Sequence, residues 1–182
     1  MQTYNPRHKR SLSSRIKSAV WLMVNRTFFR WSPFFMHGWR VLILRLFGAK
    51  IGRAARVKRT VIFKCPWNLI LGDEVMICDN AHVFCEGKVI IGDRAQIGEN
   101  TWILTGSHDV DSYDFKFECA PIRIGKASWI ATNAMILSGR SETIIGDGAV
   151  VAAGSVVVKN VGGGEIVGGS PARYLRRREI LY

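Results

Sequence analysis

Two histidines fall within the regular part of this 182-residue chain, His82 and His108, and their settings differ. His108 stands near the start of a long irregular stretch, residues 104 to 123, which carries TGSHDVDSYDFKFECAPIR. An imidazole titrates near pH 6.5, so it accepts and returns a proton at neutral pH; as a general base on a hydroxyl it contributes roughly 10²- to 10⁴-fold. Such a base works best when its second ring nitrogen is held by an acceptor. Asp79, Asn80, Glu86 or a backbone carbonyl are the candidates for that role. Taken alone, a loop histidine is more readily a surface residue than a base. His82 reads as a rim residue. A zinc site built on three histidines is not available where the repeat holds two, and no metal is expected. The four cysteines, Cys65, Cys78, Cys85 and Cys119, form no Cys-x-x-Cys pair; they fit free thiols used for packing in a reducing compartment.

The elements that must position these residues are written in a six-residue rhythm. Aliphatic or aromatic anchors return in threes: Ile51, Val57, Phe63; Leu71, Ile77, Val83; Ile91, Ile97, Ile103; Ile124, Ile130, Ile136; Ile145, Val151, Val157. Six matches neither a helix nor a single strand, but it suits a short strand followed by a corner, repeated. Three such units make one triangular coil, and stacked coils bury the anchors in columns while their strands pair in parallel. Four residues after most anchors comes a small or β-branched residue, among them Ala55, Ala95, Ser107, Ala134 and Ser155; Arg140 is the charged exception. Glycines follow anchors at Gly52, Gly72, Gly92, Gly98, Gly125 and Gly146, where turns with positive φ are expected. All surplus residues fall between a third anchor and the next first anchor, so one corner of the triangle is loose. Residues 104 to 123 are its largest excursion, and compact domains rarely keep such a loop without a use.

Charge divides the chain. Residues 1 to 72 carry fifteen Lys and Arg and no acid, while the remainder is slightly acidic, giving the net +12. Residues 12 to 47 interleave these charges with aromatics, from Trp21 through Trp31, Phe34 and Phe35 to Trp39 and Phe47. Ser13 or Ser14 is placed to cap a first helix, Pro33 to start a second and Gly48 to end it. Such helices suit either a lid on the first coil or an anionic membrane surface. Nucleic acid is not an expected partner, because no nucleic-acid-binding signature accompanies the charge. Residues 19 to 24 are too short an apolar run to span a bilayer, and no cleavage site follows; the expectation is a cytoplasmic protein, peripheral at the inner face of the cell membrane.

The segments RLFGAKIG, IIGDRAQIG, TGSHD, SWIA, IGDGAVVAAGSVV and IVGGSPARYLR, in that order from residue 45 to about 176, resemble the hexapeptide-repeat acyltransferases. Within that family the chain is similar to the colanic acid, maltose and galactoside O-acetyltransferases. The resemblance implies an all-β fold, a left-handed parallel β-helix of about five triangular coils spanning residues 48–169, after a helical extension at 1–47 and before a basic tail at 170–182. It implies an acetyl-CoA-dependent transfer to a sugar or glycan hydroxyl in exopolysaccharide, capsule or lipopolysaccharide synthesis. It also implies a homotrimer with sites between subunits.

The family's catalytic histidine aligns with His108. Its asparagine falls at Cys78 and its aspartate at Glu86, leaving Asn80 as the nearest amide. Thr132, Ala153 and Val158 align with positions that contact coenzyme A, with Val158 replacing a threonine, and Trp129 belongs to the same SWIA segment. Lys159, Arg173 and Arg176 match basic positions for the nucleotide's phosphates. Three departures stand out: a corner three residues longer between Ile136 and Ile145, VGGGE after Lys159, and GGSPA where the family has GNPA. A catalytically silent scaffold and an N-acyltransferase acting on an amino sugar are the alternatives.

Overall fold

The computed structural model describes residues 12–179; the outermost parts of the expected extension and tail, residues 1–11 and 180–182, lie outside the described residues. Two helices, α1 (Leu12–Val24) and α2 (His37–Leu46), come first, joined through a wide helical turn at Asn25–Phe29. Ser13 and Ser14 fall inside α1, Pro33 precedes α2 by four residues, and Gly48 ends α2 with φ +97°. The helices lie across the first coil as a lid. Trp21, Phe29 and Leu44 are buried on it, and the Trp21 indole N–H donates to the Phe63 carbonyl at 2.7 Å. Arg40 is fully buried. It donates from Nε to the Val57 carbonyl at 2.6 Å, and its terminal nitrogens donate to Ser32 Oγ and to the Pro33 and Phe34 carbonyls, each at 2.8 Å. Burial pushes its pKa down, and these acceptors are what keep the charge tolerable inside.

Above the lid stand five complete coils and the start of a sixth. The first three coils hold β1 (Lys50–Ile51), β2 (Arg56–Val57) and β3 (Ile62–Lys64); β4 (Leu69–Leu71), β5 (Met76–Ile77) and β6 (His82–Phe84); β7 (Val89–Ile91), β8 (Gln96–Ile97) and β9 (Trp102–Leu104). A hairpin follows, β10 (Gly106–His108) and β11 (Phe117–Cys119). Then come β12 (Ile122–Ile124), β13 (Trp129–Ile130) and β14 (Met135–Leu137); β15 (Thr143–Ile145), β16 (Val150–Val151) and β17 (Val156–Val157); and β18 (Glu165–Gly169) with β19 (Ala172–Arg177). The first face pairs β1-β4-β7-β12-β15, the third β17-β14-β9-β6-β3, and the second β2 through β16 and then β18. Apart from the two antiparallel pairs, β10–β11 and β18–β19, the ladders are parallel. Residues 172–177, read from sequence as part of a tail, are the strand that folds back on β18.

All fifteen anchors are buried, in columns that register from coil to coil, as Ile77, Ile97 and Ile130 do on the second face. Most small residues at the fourth place are buried too, but Ser107 is exposed, because the chain has already left the coil for the hairpin; Thr105 fills the interior there. Cys65 and Cys85 are packing residues as expected, whereas Cys119 lies exposed on the hairpin.

The glycines correct a second expectation. None of Gly52, Gly72, Gly92, Gly98, Gly125 or Gly146 has positive φ; the left-handed residues come two positions later on the first edge, at Ala54, Glu74, Arg94, Ala127 and Gly148. The glycines are required by close stacking instead. A Cβ on Gly92 would lie 2.7 Å from the Lys126 nitrogen and 2.9 Å from the Gly125 carbonyl carbon, both backbone of the next coil. Along this edge carboxylates also receive amides of the coil below: Asp73 Oδ1 accepts from Arg53 N at 2.7 Å, Asp93 Oδ1 from Asp73 N at 3.0 Å, and Asp147 Oδ1 from Lys126 N at 2.7 Å.

Candidate active site

The long excursion at the third edge, between the third and first faces, is a hairpin held at its root from both neighbouring coils. Buried Thr105 donates from Oγ1 to the Phe84 carbonyl at 2.8 Å and accepts from the Gly87 amide at 2.9 Å. From the other side Ser138 Oγ donates to the Ala120 carbonyl at 2.7 Å, and Gly139 lies so close that a Cβ would come 3.2 Å from that of Ser107. Farther out, Arg140 donates to Glu118 at 3.1 Å and ion-pairs with Asp109, the residue after His108. The enlarged corner between Ile136 and Ile145 therefore supplies the clamp on the hairpin. Sequence reasoning did not assign Arg140 a role, yet its signal was present: it is the charged residue at a place otherwise reserved for small ones.

His108 ends β10, opposite Phe117 in register, with the two rings edge to face at 5.3 Å. Its imidazole is exposed, and Nδ1 lies 2.6 Å from the carbonyl oxygen of Phe115, a residue turned left-handed at φ +46°. A carbonyl only accepts, so Nδ1 carries the proton in the neutral ring. Nε2 then keeps its lone pair, as a base at a reacting hydroxyl must. Of the acceptors weighed from sequence, the backbone carbonyl is the one that holds the ring. Asp79 and Asn80 belong to the second edge: Asp79 Oδ1 accepts from Thr60 Oγ1 at 2.6 Å, and the Asn80 backbone N–H donates to Thr60 Oγ1 at 2.9 Å. Glu86 is at the third edge one coil below the hairpin, paired with Lys64 at 2.6 Å.

The remaining candidates form two groups. Val158, Lys159 and Arg173 line one groove of about 450 Å³ at the third edge, where the fold-back of β19 brings Arg173 beside the end of β17. Arg176 lies farther along the same strand, exposed. Thr132 and Ala153 occupy the second edge, in the same column as Asp79, and Trp129 is half exposed on the second face. Among the described residues no three metal-ligating side chains converge, and no helix is long and apolar enough to cross a membrane.

No protein-family model matches the chain. Individual relatives do. The provisionally named colanic acid biosynthesis acetyltransferase of Escherichia coli K12 is 38% identical over 163 residues, 90% of this chain and 88% of that one. The chain belongs to the hexapeptide-repeat acetyltransferases. The galactoside O-acetyltransferase of Escherichia coli K12 is 30% identical over 143 residues, covering 74% of this acetyltransferase and 66% of that enzyme. A hexapeptide-repeat acetyltransferase of Vibrio cholerae, solved in complex with acetyl coenzyme A, superposes with a TM-score of 0.83 at 27% identity, over 93% of this chain and 91% of its own. The hairpin, the lone pair on Nε2 and the groove that holds Lys159 and Arg173 beside Glu165 thus belong to an acetyl-transferring fold.

Proposed function

We propose that this acetyltransferase moves the acetyl group of acetyl-CoA to a sugar hydroxyl during the assembly of exopolysaccharide, capsule or lipopolysaccharide, with His108 as general base. The carrying observation is the Nδ1 contact with the Phe115 carbonyl, which leaves Nε2 to take the hydroxyl proton. The sugar oxygen then bonds to the thioester carbonyl carbon, the carbon–sulfur bond breaks, and the imidazolium returns its proton to the departing thiolate. Lys159 and Arg173 hold coenzyme phosphates in their shared groove, joined by Arg176, while Val158 offers its pantetheine an apolar wall. Trp129, Thr132 and Ala153 complete the coenzyme's path, and Asp79, Asn80 and Glu86 contact the acceptor.

A homotrimer follows from the same reading. His108 and the groove of Lys159 and Arg173 occupy the third edge of the prism, whereas Thr132, Ala153, Asp79 and Asn80 occupy the second. One prism does not bring both edges to one acceptor; the second edge of a neighbour, set against the third, does. The enzyme works at the inner face of the cell membrane, on a glycan carried by a lipid.

The test is thiol release from acetyl-CoA with a panel of sugar and oligosaccharide acceptors, read against His108→Ala. Turnover that falls roughly 10²- to 10⁴-fold in the variant, with acetyl-CoA binding retained, supports the base. Transfer that continues unchanged without the imidazole refutes it, and an absence of transfer to any acceptor favours a silent scaffold. Analytical ultracentrifugation tests the trimer.

A further inference from the structure

The lid on the first coil has two unlike sides. Its inner side is spent on Trp21, Phe29, Arg40 and Leu44. Its outer side is apolar without a partner: thirteen of the twenty-one exposed large apolar side chains among the described residues lie between Leu12 and Leu46. On α1, Leu12, Ile16, Val20 and Met23 recur at helical spacing and form one exposed stripe. On α2, Trp39, Leu42 and Leu46 do the same, opposite the buried Arg40 and Leu44. Between the helices the connection around Pro33 holds out three strongly exposed rings, Trp31 at 82%, Phe34 at 73% and Phe35 at 67%. Monomeric soluble surfaces rarely gather this much apolar area in one place.

The charge around these stripes selects the occupant. Arg15, Lys17, Arg26 and Arg30 lie among them, and the chain has no acidic residue before Asp73. At the rim, a cavity of about 510 Å³ between α2 and the first coil is lined by Arg45, Arg53 and Arg56 together with Gly38, which neighbours Leu42 on the helix. Apolar stripes bearing tryptophan and phenylalanine, ringed by cations of which, among the described residues, only Arg53 is paired with a carboxylate, that of Asp73, match a phospholipid surface: rings at the boundary of acyl chain and headgroup, guanidinium and ammonium groups at phosphate level. A second copy of this chain would set like charges against each other across the contact.

We infer that the outer side of the helical lid is a docking surface for an anionic bilayer, entered by Trp31, Phe34 and Phe35, with the first-coil end of the prism toward the membrane. This deepens the membrane-side reading above and rests on it only for where the acceptor is found; the docking itself needs no acetyl transfer.

The experiment is flotation of the full-length protein with vesicles of phosphatidylcholine alone or mixed with phosphatidylglycerol, comparing the parent with Trp31→Ser/Phe34→Ser/Phe35→Ser and with Arg26→Glu/Arg30→Glu. These side chains are exposed, so both variants should melt with the parent and keep its thiol release on soluble acceptors. The parent should float with the anionic vesicles, less so at high salt, and each variant should bind about tenfold or more weakly. A parent that stays at the bottom, or variants that float as the parent does, overturns the inference. If the parent ignores vesicles and the aromatic variant changes the oligomeric state, the surface is a contact between copies. Flotation without acetyl transfer leaves docking intact and removes the catalytic reading; transfer without flotation does the reverse.

Discussion

Replacing Gly92 and Gly148 by alanine, one at a time, separates two physical reasons for a glycine on the same edge of the prism. Gly92 has ordinary φ but no room: its Cβ would meet the Lys126 nitrogen at 2.7 Å, the Gly125 carbonyl carbon at 2.9 Å and Lys126 Cα at 3.1 Å. Every one is backbone, and backbone yields only if two coils part and their parallel ladder stretches. Overpacking of this kind costs about 1–3 kcal/mol, and without a side chain to turn aside the upper half of that range applies. Gly148 has φ +66° and nothing within 4 Å of its Cβ. An alanine there meets the left-handed penalty of about 1–2 kcal/mol, offset by about 0.4–1 kcal/mol through a less flexible unfolded chain, for a net loss near 1 kcal/mol or less. Ala54 and Ala127 already hold that conformation at the equivalent places. At roughly 2–4 °C per kcal/mol for a chain of this size, Gly92→Ala should melt about 4–12 °C below the parent and Gly148→Ala no more than about 4 °C below it. Thermal melts by circular dichroism, at one fixed protein concentration, make the comparison. Equal losses, or a larger loss for Gly148→Ala, would refute close stacking as the reason for the glycine column.

Arg140→Ala should lower kcat about tenfold with the melting temperature nearly unchanged, because the clamp on Asp109 and Glu118 sets the hairpin's angle and not the core; unaltered turnover sinks the clamp. Gly106→Ala should act through the same hairpin: its Cβ would overlap the Phe117 ring that stands against His108, so kcat should fall while acetyl-CoA binding, by calorimetry, stays. Arg40→Lys should loosen the lid, since an ammonium cannot reach the Val57, Pro33 and Phe34 carbonyls and Ser32 together; limited proteolysis should cut near residue 30 in the variant and not in the parent. The carboxyls of Asp73 and Asp93 are held below the usual range, chiefly by the Arg53 and Asp73 amides respectively, so their contribution is present above an unfolded pKa near 3.9 and is lost as pH falls through the lower folded values. Acid melts should therefore steepen below about pH 4, and Asp73→Asn/Asp93→Asn should flatten them.

The columns of the prism were legible because a buried anchor every sixth residue leaves few other ways to fold, and the surplus at one corner located the hairpin before its strands were known. The reason for the glycines was not legible: a close approach between residues one whole coil apart in sequence, such as Gly92 and Lys126, looks like a turn preference until the coils are stacked. The acceptor for His108 was hidden in the same way, since the Phe115 carbonyl reaches Nδ1 only through the register that sets His108 against Phe117. Lys159 and Arg173 share a groove because β19 turns back, which a run of arginines read as a tail does not announce.

In a stack of coils the place of an insertion is also a height. Each coil adds one strand spacing, about 4.8 Å, so a hairpin that leaves after the third coil has its root about 10 Å above the first. The lid beneath adds the thickness of one helix, about 10 Å. With that lid on a bilayer, as inferred above, the hairpin's root would stand about 20 Å from the headgroups, and in the proposed trimer the three hairpins would be level. A sugar joined directly to a lipid would lie below that plane. The fold would then serve as a gauge, admitting a glycan once it has grown tall enough to present a hydroxyl at the height of His108.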